Sequence, residues 1–348
     1  MNRRFYLLIY FALSFAPSFS QIAHTIKGQV MNVASGAPIA NCSVFINNTS
    51  KGMTTDATGR FELSNIPDGK YVLIVSSIGY ETYAHPFSGN QLPIELMVQL
   101  KEKATDLSAV TVEPYDPDGW AKWGKTFMDN FIGTTKYANQ CNIKNKEVIH
   151  FRYSSKKYRL TAVADEPIIV ENKALGYIVK YQLEEFSVDF ASGRYTFMGY
   201  PLFTEMQAGS KAWEQIWKKN REKVYYGSVM HFIRSLYINQ VQGPTDSTEG
   251  FEVRRQGRGD NRDLTAGDLV TVNANQTKSL FFTGDLSVTF RRNTLKAQKS
   301  TIRLLTPAPV EIEVNGYYDS PLELFMLGYW SWSEKFATTL PLDYWPDP

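Results

Sequence analysis

The chain has 348 residues, with 37 lysines and arginines against 35 aspartates and glutamates and a formal net charge of +2. Arg3 and Arg4 account for this basic surplus, so a chain that has lost its first residues is neutral apart from its histidines. That balance removes the attraction to phosphate on which a nucleic-acid-binding protein depends, and we expect no nucleic-acid partner.

The N-terminus has the three parts of a secretory signal peptide. Two arginines precede an apolar run from Phe5 to Ala16, and a small-residue site follows at Ser18-Phe19-Ser20. This pattern predicts a signal peptide over residues 1–20 with cleavage before Gln21. The run is shorter than the roughly 20 residues of a membrane-spanning helix, and no later stretch approaches that length. We therefore expect an exported chain, in the periplasm or associated with the outer membrane, without a transmembrane segment after cleavage.

Residues 21–100 are predicted to form a small β-sandwich. Apolar and polar residues alternate over several short segments, as they do in strands with one buried face. The segment from Thr55 to Phe61 predicts a tight hairpin, because Asp56 can bond its own backbone and Gly59 accepts a positive φ. We expect about seven strands, including Ile26–Val30, Ala40–Ile46, Tyr71–Val75 and Ile94–Leu100.

Six short motifs in this segment occur in a specific order. They are Ile26-x-Gly28-x-Val30, Gly36-x-Pro38-Ile39, Val44-x-Ile46, Thr55-Asp56-x-x-Gly59-x-Phe61-x-Leu63, Ile66-Pro67-x-Gly69-x-Tyr71 and Ile78-Gly79-Tyr80-Glu81. Together they resemble the carboxypeptidase regulatory-like domain, a transthyretin-like sandwich that accompanies metallocarboxypeptidases and begins many TonB-dependent outer-membrane receptors. The resemblance covers residues 25–100. It implies a sandwich without catalytic residues, and the family name implies no peptidase activity.

The alternation of apolar and polar residues ends after Leu100. Residues 101–119 contain a charged stretch and a cluster of turn formers, and we interpret them as a linker with one short edge strand at Val110-Thr111-Val112. Residues 120–348 are long enough for a core of their own. They form either one further domain or two tightly packed lobes.

Helices and mainly antiparallel strands are predicted within residues 120–348. Trp120, Trp123, Phe127 and Phe131 recur at three- and four-residue steps, which predicts an amphipathic helix with an aromatic core face. A second helical stretch covers residues 211–239, where Gly227 breaks the helix and Ser228 caps the next one. The first five of the predicted strands should form an antiparallel meander. The strands cover residues 148–153, 159–164, 167–170, 176–183, 186–190, 269–272, 279–282, 286–290, 301–305 and 310–314.

The predicted fold is therefore multidomain: an all-β, transthyretin-like sandwich followed by an α+β domain with a mainly antiparallel sheet. The second region contains Phe131-Ile132-Gly133, Cys141-x-Ile143-x-Asn145, Leu175-Gly176-Tyr177, Tyr225-Tyr226-Gly227-Ser228-x-x-His231-Phe232 and Gly328-Tyr329-Trp330-Ser331. In this order it resembles an uncharacterised group of exported bacterial proteins that pair it with the regulatory-like sandwich. That resemblance implies domain organisation and compartment, and no activity.

The histidines do not have the spacing of a zinc-peptidase site. Such a site needs a His-x-x-Glu pair and a third ligand, with one position left for the activated water. A Gly-x-Ser-x-Gly nucleophile elbow and a phosphate-binding glycine-rich loop are also missing. We therefore predict no catalytic residue, no metal and no cofactor. Residues His24, His85, His150 and His231 are followed three positions later by Lys27, Ser88, Tyr153 and Arg234.

Cys42 and Cys141 are the two cysteines that remain after cleavage. An oxidising compartment permits a bridge between them. The bridge would have to join two domains, and Cys42 lies on the apolar face of a predicted strand. We therefore favour two free cysteines that pack as small hydrophobic residues.

One chemical cluster is predicted on the second helix of the 211–239 stretch. Ser228, His231, Arg234 and Ser235 share a polar stripe there, and a Ser–His pair with Arg234 holding an anion would suit nucleophilic catalysis. Side chains at i and i+3 run roughly parallel, however, and no carboxylate lies on this stripe to orient the imidazole. A polar helix face or a cap is therefore favoured over catalysis.

Large aromatic residues are concentrated near the C-terminus. Trp330, Trp332, Tyr344 and Trp345 could stack against sugar rings, although aromatic-rich tails more often pack onto the domain that they end. The candidate ligand-binding residues are Ser228, His231, Arg234, Trp330 and Trp332.

These features favour an exported, non-enzymatic protein of the cell envelope that acts as a binding or assembly module. Its partner would be an envelope protein or a glycan. Two alternatives stay open. One is an accessory component of an outer-membrane TonB-dependent uptake system, and the other is an exported hydrolase whose site is assembled from dispersed residues around His231.

Overall fold

The computed structural model describes residues 24–103, 114–242, 250–257, 262–292, 296–319 and 321–347. The predicted signal peptide and the strand predicted at residues 110–112 lie outside them. Within these ranges the fold is mostly β, with several antiparallel sheets and four α-helices. Buried apolar side chains form three clusters, one in the N-terminal sandwich and two in the region that follows.

The N-terminal region is a sandwich, as predicted. Its strands are β1 (Ile26–Asn32), β2 (Ser43–Ile46), β3 (Gly52–Thr54), β4 (Arg60–Leu63), β5 (Lys70–Ser76), β6 (Tyr83–Ser88) and β7 (Ile94–Leu100). One sheet has the order β4-β1-β7 and the other the order β3-β2-β5-β6. Only the β1–β7 pair is parallel within these two sheets. Apolar residues from both sheets, such as Ile26 and Leu73, are fully buried between them.

The turn after β3 does not make the predicted hairpin. Its local chemistry is as expected, because Gly59 has φ +74° and the Asp56 carboxylate accepts hydrogen bonds from the N–H groups of Thr58 and Arg60. However, β3 pairs with β2 whereas β4 pairs with β1. The turn therefore carries the chain from one sheet to the other. Turn chemistry specifies a reversal of direction, not the sheet to which the next strand belongs.

A helix and a six-stranded sheet surround the second core. The elements are α1 (Gly119–Phe131), β8 (Cys141–Ile143), β9 (Ile149–Ser154), β10 (Arg159–Ala164), β11 (Ile168–Asn172), β12 (Tyr177–Asp189) and β13 (Arg194–Glu205). The predicted aromatic helix is confirmed. Phe127 and Phe131 are fully buried, and their rings lie 4.6 Å from Phe186 and 4.9 Å from Tyr181.

Two expectations for this sheet are wrong, and one strand was missed. The segments predicted at 176–183 and 186–190 form one strand, β12, with a bulge between Leu183 and Glu185. The twelve-residue strand β13 was not predicted, and it runs along the whole of β12. β13 covers one edge of β12, and β10 and β11 pair with opposite halves of its other edge. The strand order is therefore β8-β11-β12-β10-β9, with β13 beside β12. This arrangement is not a meander.

The second helix of the 211–239 stretch and two small sheets surround the third core, whereas the first helix contributes Tyr225 to the second core. The predicted break and cap between the helices are confirmed: Gly227 has φ +86°, and Ser228 precedes the second helix. The sheets have the orders β14-β17-β18-β20 and β15-β16-β19. The elements are α2 (Lys211–Tyr225), α3 (Val229–Tyr237), β14 (Gly250–Arg255), β15 (Val270–Val272), β16 (Lys278–Leu280), β17 (Leu286–Arg291), β18 (Gln298–Leu304), β19 (Val310–Ile312), β20 (Leu324–Gly328) and α4 (Tyr329–Ser333).

The sandwich contacts the rest of the chain through the loop between β2 and β3 and through β5. Thr49 forms a parallel bridge with Leu202 of β13. Leu342 packs into the sandwich core, and its N–H donates to the Asn48 carbonyl at 2.7 Å. Lys70 makes ion pairs of 2.7 Å with two carboxylates of the C-terminal half. These contacts bring the C-terminal segment, residues 341–347, between the sandwich and helix α2.

Candidate functional site

Ser228 caps helix α3, as predicted. Its backbone is extended, with φ −71° and ψ 166°, and its Oγ accepts a hydrogen bond from the His231 N–H at 3.1 Å. This bond satisfies one of the backbone donors that a helix start leaves without a partner. The hydroxyl therefore bonds the backbone of His231.

The His231 imidazole is enclosed by aromatic rings. Its Nδ1 accepts a hydrogen bond from the Gly227 N–H at 3.2 Å, and four ring centroids lie 5.0 to 5.4 Å away. Burial, followed by the charges of Arg234 and Arg292, lowers the pKa of His231 to about 3. A group with that pKa is a poor proton acceptor at neutral pH. The ring packs as a neutral aromatic side chain and does not face Ser228 as a base would.

Arg234 is buried and holds the C-terminal segment. Only 2% of the residue is exposed. Its Nε and Nη2 donate to the Asn315 carbonyl, Nη2 also donates to Leu342, and Nη1 donates to Tyr344, all at 2.9 to 3.1 Å. The Trp345 ring covers the guanidinium at 3.7 Å. Backbone carbonyls accept from all three guanidinium nitrogens and an indole covers one face, so the geometry does not favour Arg234 as an anion contact.

The two tryptophans predicted to bind a ligand lie in different environments. Trp330 is 2% exposed, and its Nε1 donates to the Gly227 carbonyl at 2.7 Å in the third core. Trp332 is 48% exposed and packs edge-on against Tyr329. The structure therefore does not bring the pair together as one stacking surface, and Trp330 has no open face.

Sequence reasoning missed two titratable groups that follow helix α4, one at the start of α3 and one at the end of α1. The Glu334 carboxylate accepts from the Val229 N–H at 3.4 Å, and burial raises its pKa to about 7. Lys335 is 5% exposed, its Nζ donates to the Asn130 carbonyl at 3.0 Å, and burial lowers its pKa to about 7. Glu334 is 105 positions from Val229, so no local pattern could have placed a carboxylate at this helix end.

Cys42 and Cys141 are free and lie in different parts of the fold. Cys42 is buried in the sandwich, and Cys141 packs against the second core. Burial raises the pKa of both thiols, that of Cys141 to about 12. Since the thiolate is the reactive form, neither cysteine is a candidate nucleophile.

A cleft of about 1000 Å³ opens beside helix α2. Its walls come from α2, from the end of β13 and the loop after it, and from the C-terminal segment, and Ser50 of the sandwich closes one end. It is larger than the cavity of about 410 Å³ that Ser228 and Glu334 line. Three parts of the chain that are far apart in sequence thus meet around one opening.

Arg221 and Trp217 build the floor of this cleft. The Arg221 guanidinium stacks on the Tyr177 ring at 4.0 Å, and its Nε donates to the Leu175 carbonyl at 2.7 Å. The Trp217 Nε1 donates to the carbonyl of Lys173 at 2.9 Å. Both side chains thereby attach α2 to the turn between β11 and β12, and the floor is rigid because backbone carbonyls hold it.

The C-terminal segment forms the opposite rim. Both Asp343 oxygens accept from the Ser50 N–H at 3.1 Å, and one also accepts from the Ser50 hydroxyl at 2.5 Å. Lys218 of α2 forms an ion pair with Asp347. Trp345 is 50% exposed, and Arg234 covers one face of its ring. The rest of the indole is available to the cleft.

Five carboxylates and two basic side chains line the cleft, a formal balance of −3. Arg221 and Lys218 are each paired with an acid, Glu205 and Asp347. Within the ranges that the structure describes, no three His, Cys, Asp or Glu side chains come together in a group that could hold a metal ion. The wall offers hydrogen bonds and aromatic surface to a ligand.

Comparison with protein families identifies the first quarter of the chain. Residues 26–112 match the family described as the CarboxypepD_reg-like domain, which confirms the resemblance drawn from the sequence motifs. Of the residues that line the cleft, only Ser50 lies within the match. A search of curated proteins finds no match.

Solved structures give only distant likenesses. A type II cohesin–X-dockerin complex from Acetivibrio cellulolyticus, an interface mutant, is 24% identical over 22% of this chain and 57% of that chain, with a TM-score of 0.20. Mercury-inhibited catechol 1,2-dioxygenase from Acinetobacter sp. ADP1 is 12% identical over 28% and 59%, with a TM-score of 0.21. The major pilin subunit of Bacillus cereus is 12% identical over 83% and 94%, with a TM-score of 0.18. The chain thus spans less than two thirds of the first two, and scores this low establish no shared fold over the whole chain.

Proposed function

We propose that this protein is an exported binding protein of the cell envelope, which takes up an envelope protein or a glycan in the cleft beside α2. The observation that carries the proposal is the way the cleft is built. Its walls come from the sandwich, the six-stranded-sheet region and the C-terminal segment, and hydrogen bonds such as Ser50 to Asp343 join them. A preformed concave site is the usual form of a ligand-binding site, and the wall of this one is more polar than is usual.

The chemistry around helix α3 supports binding over catalysis. Nucleophilic catalysis by serine needs a base within hydrogen-bond reach of the hydroxyl. Here the Ser228 hydroxyl accepts from the His231 backbone, and the His231 ring accepts from the Gly227 N–H. The low pKa of His231 further weakens it as a base. The geometry gives no specific support to the alternative hydrolase.

Export rests on the N-terminal sequence and on the domain type. Two arginines followed by a short apolar run form a secretory signal, and the CarboxypepD_reg-like domain matched at residues 26–112 resembles one that occurs in exported proteins. In the part of the chain that the structure describes, no helix is long and apolar enough to cross a membrane. We place the mature chain in the periplasm or at the outer membrane.

Photocrosslinking in intact cells tests this proposal. A benzophenone amino acid replaces Gln215, which lines the cleft, and in a matched strain it replaces Ile78, a 69% exposed residue of the sandwich. We expect an adduct at position 215 in the envelope fraction and none at position 78. Mass spectrometry then identifies the partner, and an outer-membrane transporter would point to the accessory role in uptake. Recovery of the chain in the cytoplasm, or equal labelling at both positions, would refute the proposal.

A further inference from the structure

Trp345 presents an oriented aromatic surface to the cleft. The residue is 50% exposed, whereas Leu342, three positions earlier, is buried. The buried Arg234 guanidinium covers one face of the indole at 3.7 Å. Since the cation occupies that face, the remaining indole surface is held toward the opening. An exposed indole fixed in this way is ready to stack against an apolar ligand face.

The rest of the wall is polar. Only three of its seventeen residues, Met206, Ala208 and Pro341, are neither polar nor aromatic. Acyl chains and other wholly apolar ligands therefore find little surface to bury. Gln215 and Glu214 of α2 are exposed and present amide and carboxylate groups to the same cleft.

The charge of the wall excludes a second class of ligand. Five carboxylates face two basic side chains, and Arg292 outside the lining pairs with Glu222 at 3.0 Å. A surplus of negative charge remains, and it repels carboxylate, sulfate and phosphate groups. The wall consists mainly of side chains from a helix and an irregular segment, and of edge strand β13 only the last residue, Glu205, lines the cleft. An extended peptide therefore finds little strand edge to extend.

We propose that the cleft binds a neutral saccharide chain, with one pyranose ring stacked on Trp345 and its hydroxyl groups bonded by polar side chains such as Gln215. A pyranose ring combines an apolar C–H face with a rim of hydroxyl donors and acceptors, which matches an indole bordered by amides and carboxylates. A volume of about 1000 Å³ is at the upper end of the range for small-molecule sites, which suits more than one sugar ring. This inference rests on the proposed function and specifies its ligand.

Calorimetric titration of the mature chain with defined hexasaccharides tests the inference. The neutral probes are cellohexaose, maltohexaose, xylohexaose and N-acetylchitohexaose, and the anionic probe is hexagalacturonate. We expect at least one neutral probe to bind and the anionic probe to bind at least about tenfold more weakly. Trp345→Ala should weaken neutral binding at least about tenfold, as truncation of an aromatic anchor usually does. Trp213→Ala removes an indole that is 47% exposed but does not line the cleft, and it should leave binding unchanged.

A second variant guards against loss of structure in Trp345→Ala, because that ring also covers Arg234. Gln215→Ala changes an exposed side chain of α2 and should weaken neutral binding at least about threefold without changing the melting temperature. The inference is overturned if no neutral probe binds, if binding survives both variants, if Trp332→Ala abolishes it instead, or if hexagalacturonate binds best. Absence of sugar binding together with a protein crosslinked at position 215 would overturn this inference and leave the proposed function standing.

Discussion

Arg234 on helix α3 and Arg221 on helix α2 make contacts of the same kinds in different surroundings. Each guanidinium stacks on an aromatic ring, Arg234 on Trp345 at 3.7 Å and Arg221 on Tyr177 at 4.0 Å. Each also donates to backbone carbonyls. Arg234 is 2% exposed and joins three separate carbonyls, whereas Arg221 also pairs with the exposed carboxylate of Glu205 at 2.9 Å.

The difference separates an arginine that holds a chain segment from one that shapes a cleft. The donors of Arg234 bond backbone carbonyls in the interior, so its guanidinium supports the buried face of the Trp345 ring. Arg221 faces the opening, where an exposed acid partly neutralises its charge. All three nitrogens of Arg221 also have partners, but one of these partners is the exposed carboxylate of Glu205 at the cleft. The proposed function therefore places the ligand-binding surface on α2 and not on α3.

Substitution of each arginine in turn should give the largest difference in the free energy of unfolding. Arg234→Met leaves the carbonyls of Asn315, Leu342 and Tyr344 buried without a donor, and we expect the free energy of unfolding to fall by about 3–5 kcal/mol. Arg221→Met should cost less, about 1–2 kcal/mol. The Leu175 carbonyl loses a donor, but the Gly176 carbonyl also accepts from the Met206 N–H, and water can reach the exposed Glu205 carboxylate. Urea unfolding at pH 7 measures both. Equal losses would show that Arg234 is not the stronger structural contact.

The floor of the cleft should be sensitive to Gly176. This residue has φ +71°, and a Cβ there would lie 2.3 Å from the Trp217 ring. Gly176→Ala should therefore lower the free energy of unfolding by about 2–4 kcal/mol, through backbone strain and displacement of the indole. Gly193 is the matched control, with φ +68° and no atom within 4 Å of the position that an alanine Cβ would take. Gly193→Ala should cost only about 1 kcal/mol, and equal melting temperatures for the two variants would contradict the clash.

The smallest net effect is expected in the pH dependence of the free energy of unfolding, to which His231 and Glu334 contribute with opposite signs. His231 stays neutral in the fold down to about pH 3, whereas in the unfolded chain it takes up a proton below its ordinary pKa of 6.5. The unfolded state binds more protons between these values, so this contribution is lost as the pH falls from 6.5 towards 3. By pH 5 the loss is about 2 kcal/mol.

Glu334 changes the free energy of unfolding with pH in the opposite direction. Its pKa is about 7 in the fold, against an ordinary value of 4.5 in the unfolded chain, so its contribution is present below pH 4.5 and is lost as the pH rises towards 7. In the unmodified chain the two effects partly cancel. Glu334→Gln should reveal the full fall in stability between pH 6.5 and pH 5, whereas the stability of His231→Gln should rise as the pH falls over the same range. Urea unfolding at several pH values checks this, and parallel profiles for both variants would contradict it.

Local patterns predicted the elements whose signals lie within a few residues. The strands of the sandwich follow from period-2 alternation and from turn residues such as Gly59. The aromatic helix α1 follows from three- and four-residue spacing. The end of α2 and the start of α3 follow from Gly227 and Ser228, because a positive φ and a capping hydroxyl act on adjacent backbone groups.

The sequence by itself thus determined the sandwich, helices α1 to α3 and the cap on Ser228. Tertiary structure decided the rest, because it depends on contacts between distant residues. β13 contains Gly199 and Pro201 and has weak alternation, and it forms a strand because β12 pairs with it along its length. Trp330 and Trp345 look equivalent in the sequence, yet one fills a core and the other borders a cleft. Exposure is set by the packing of the whole chain, and no local spacing specifies it.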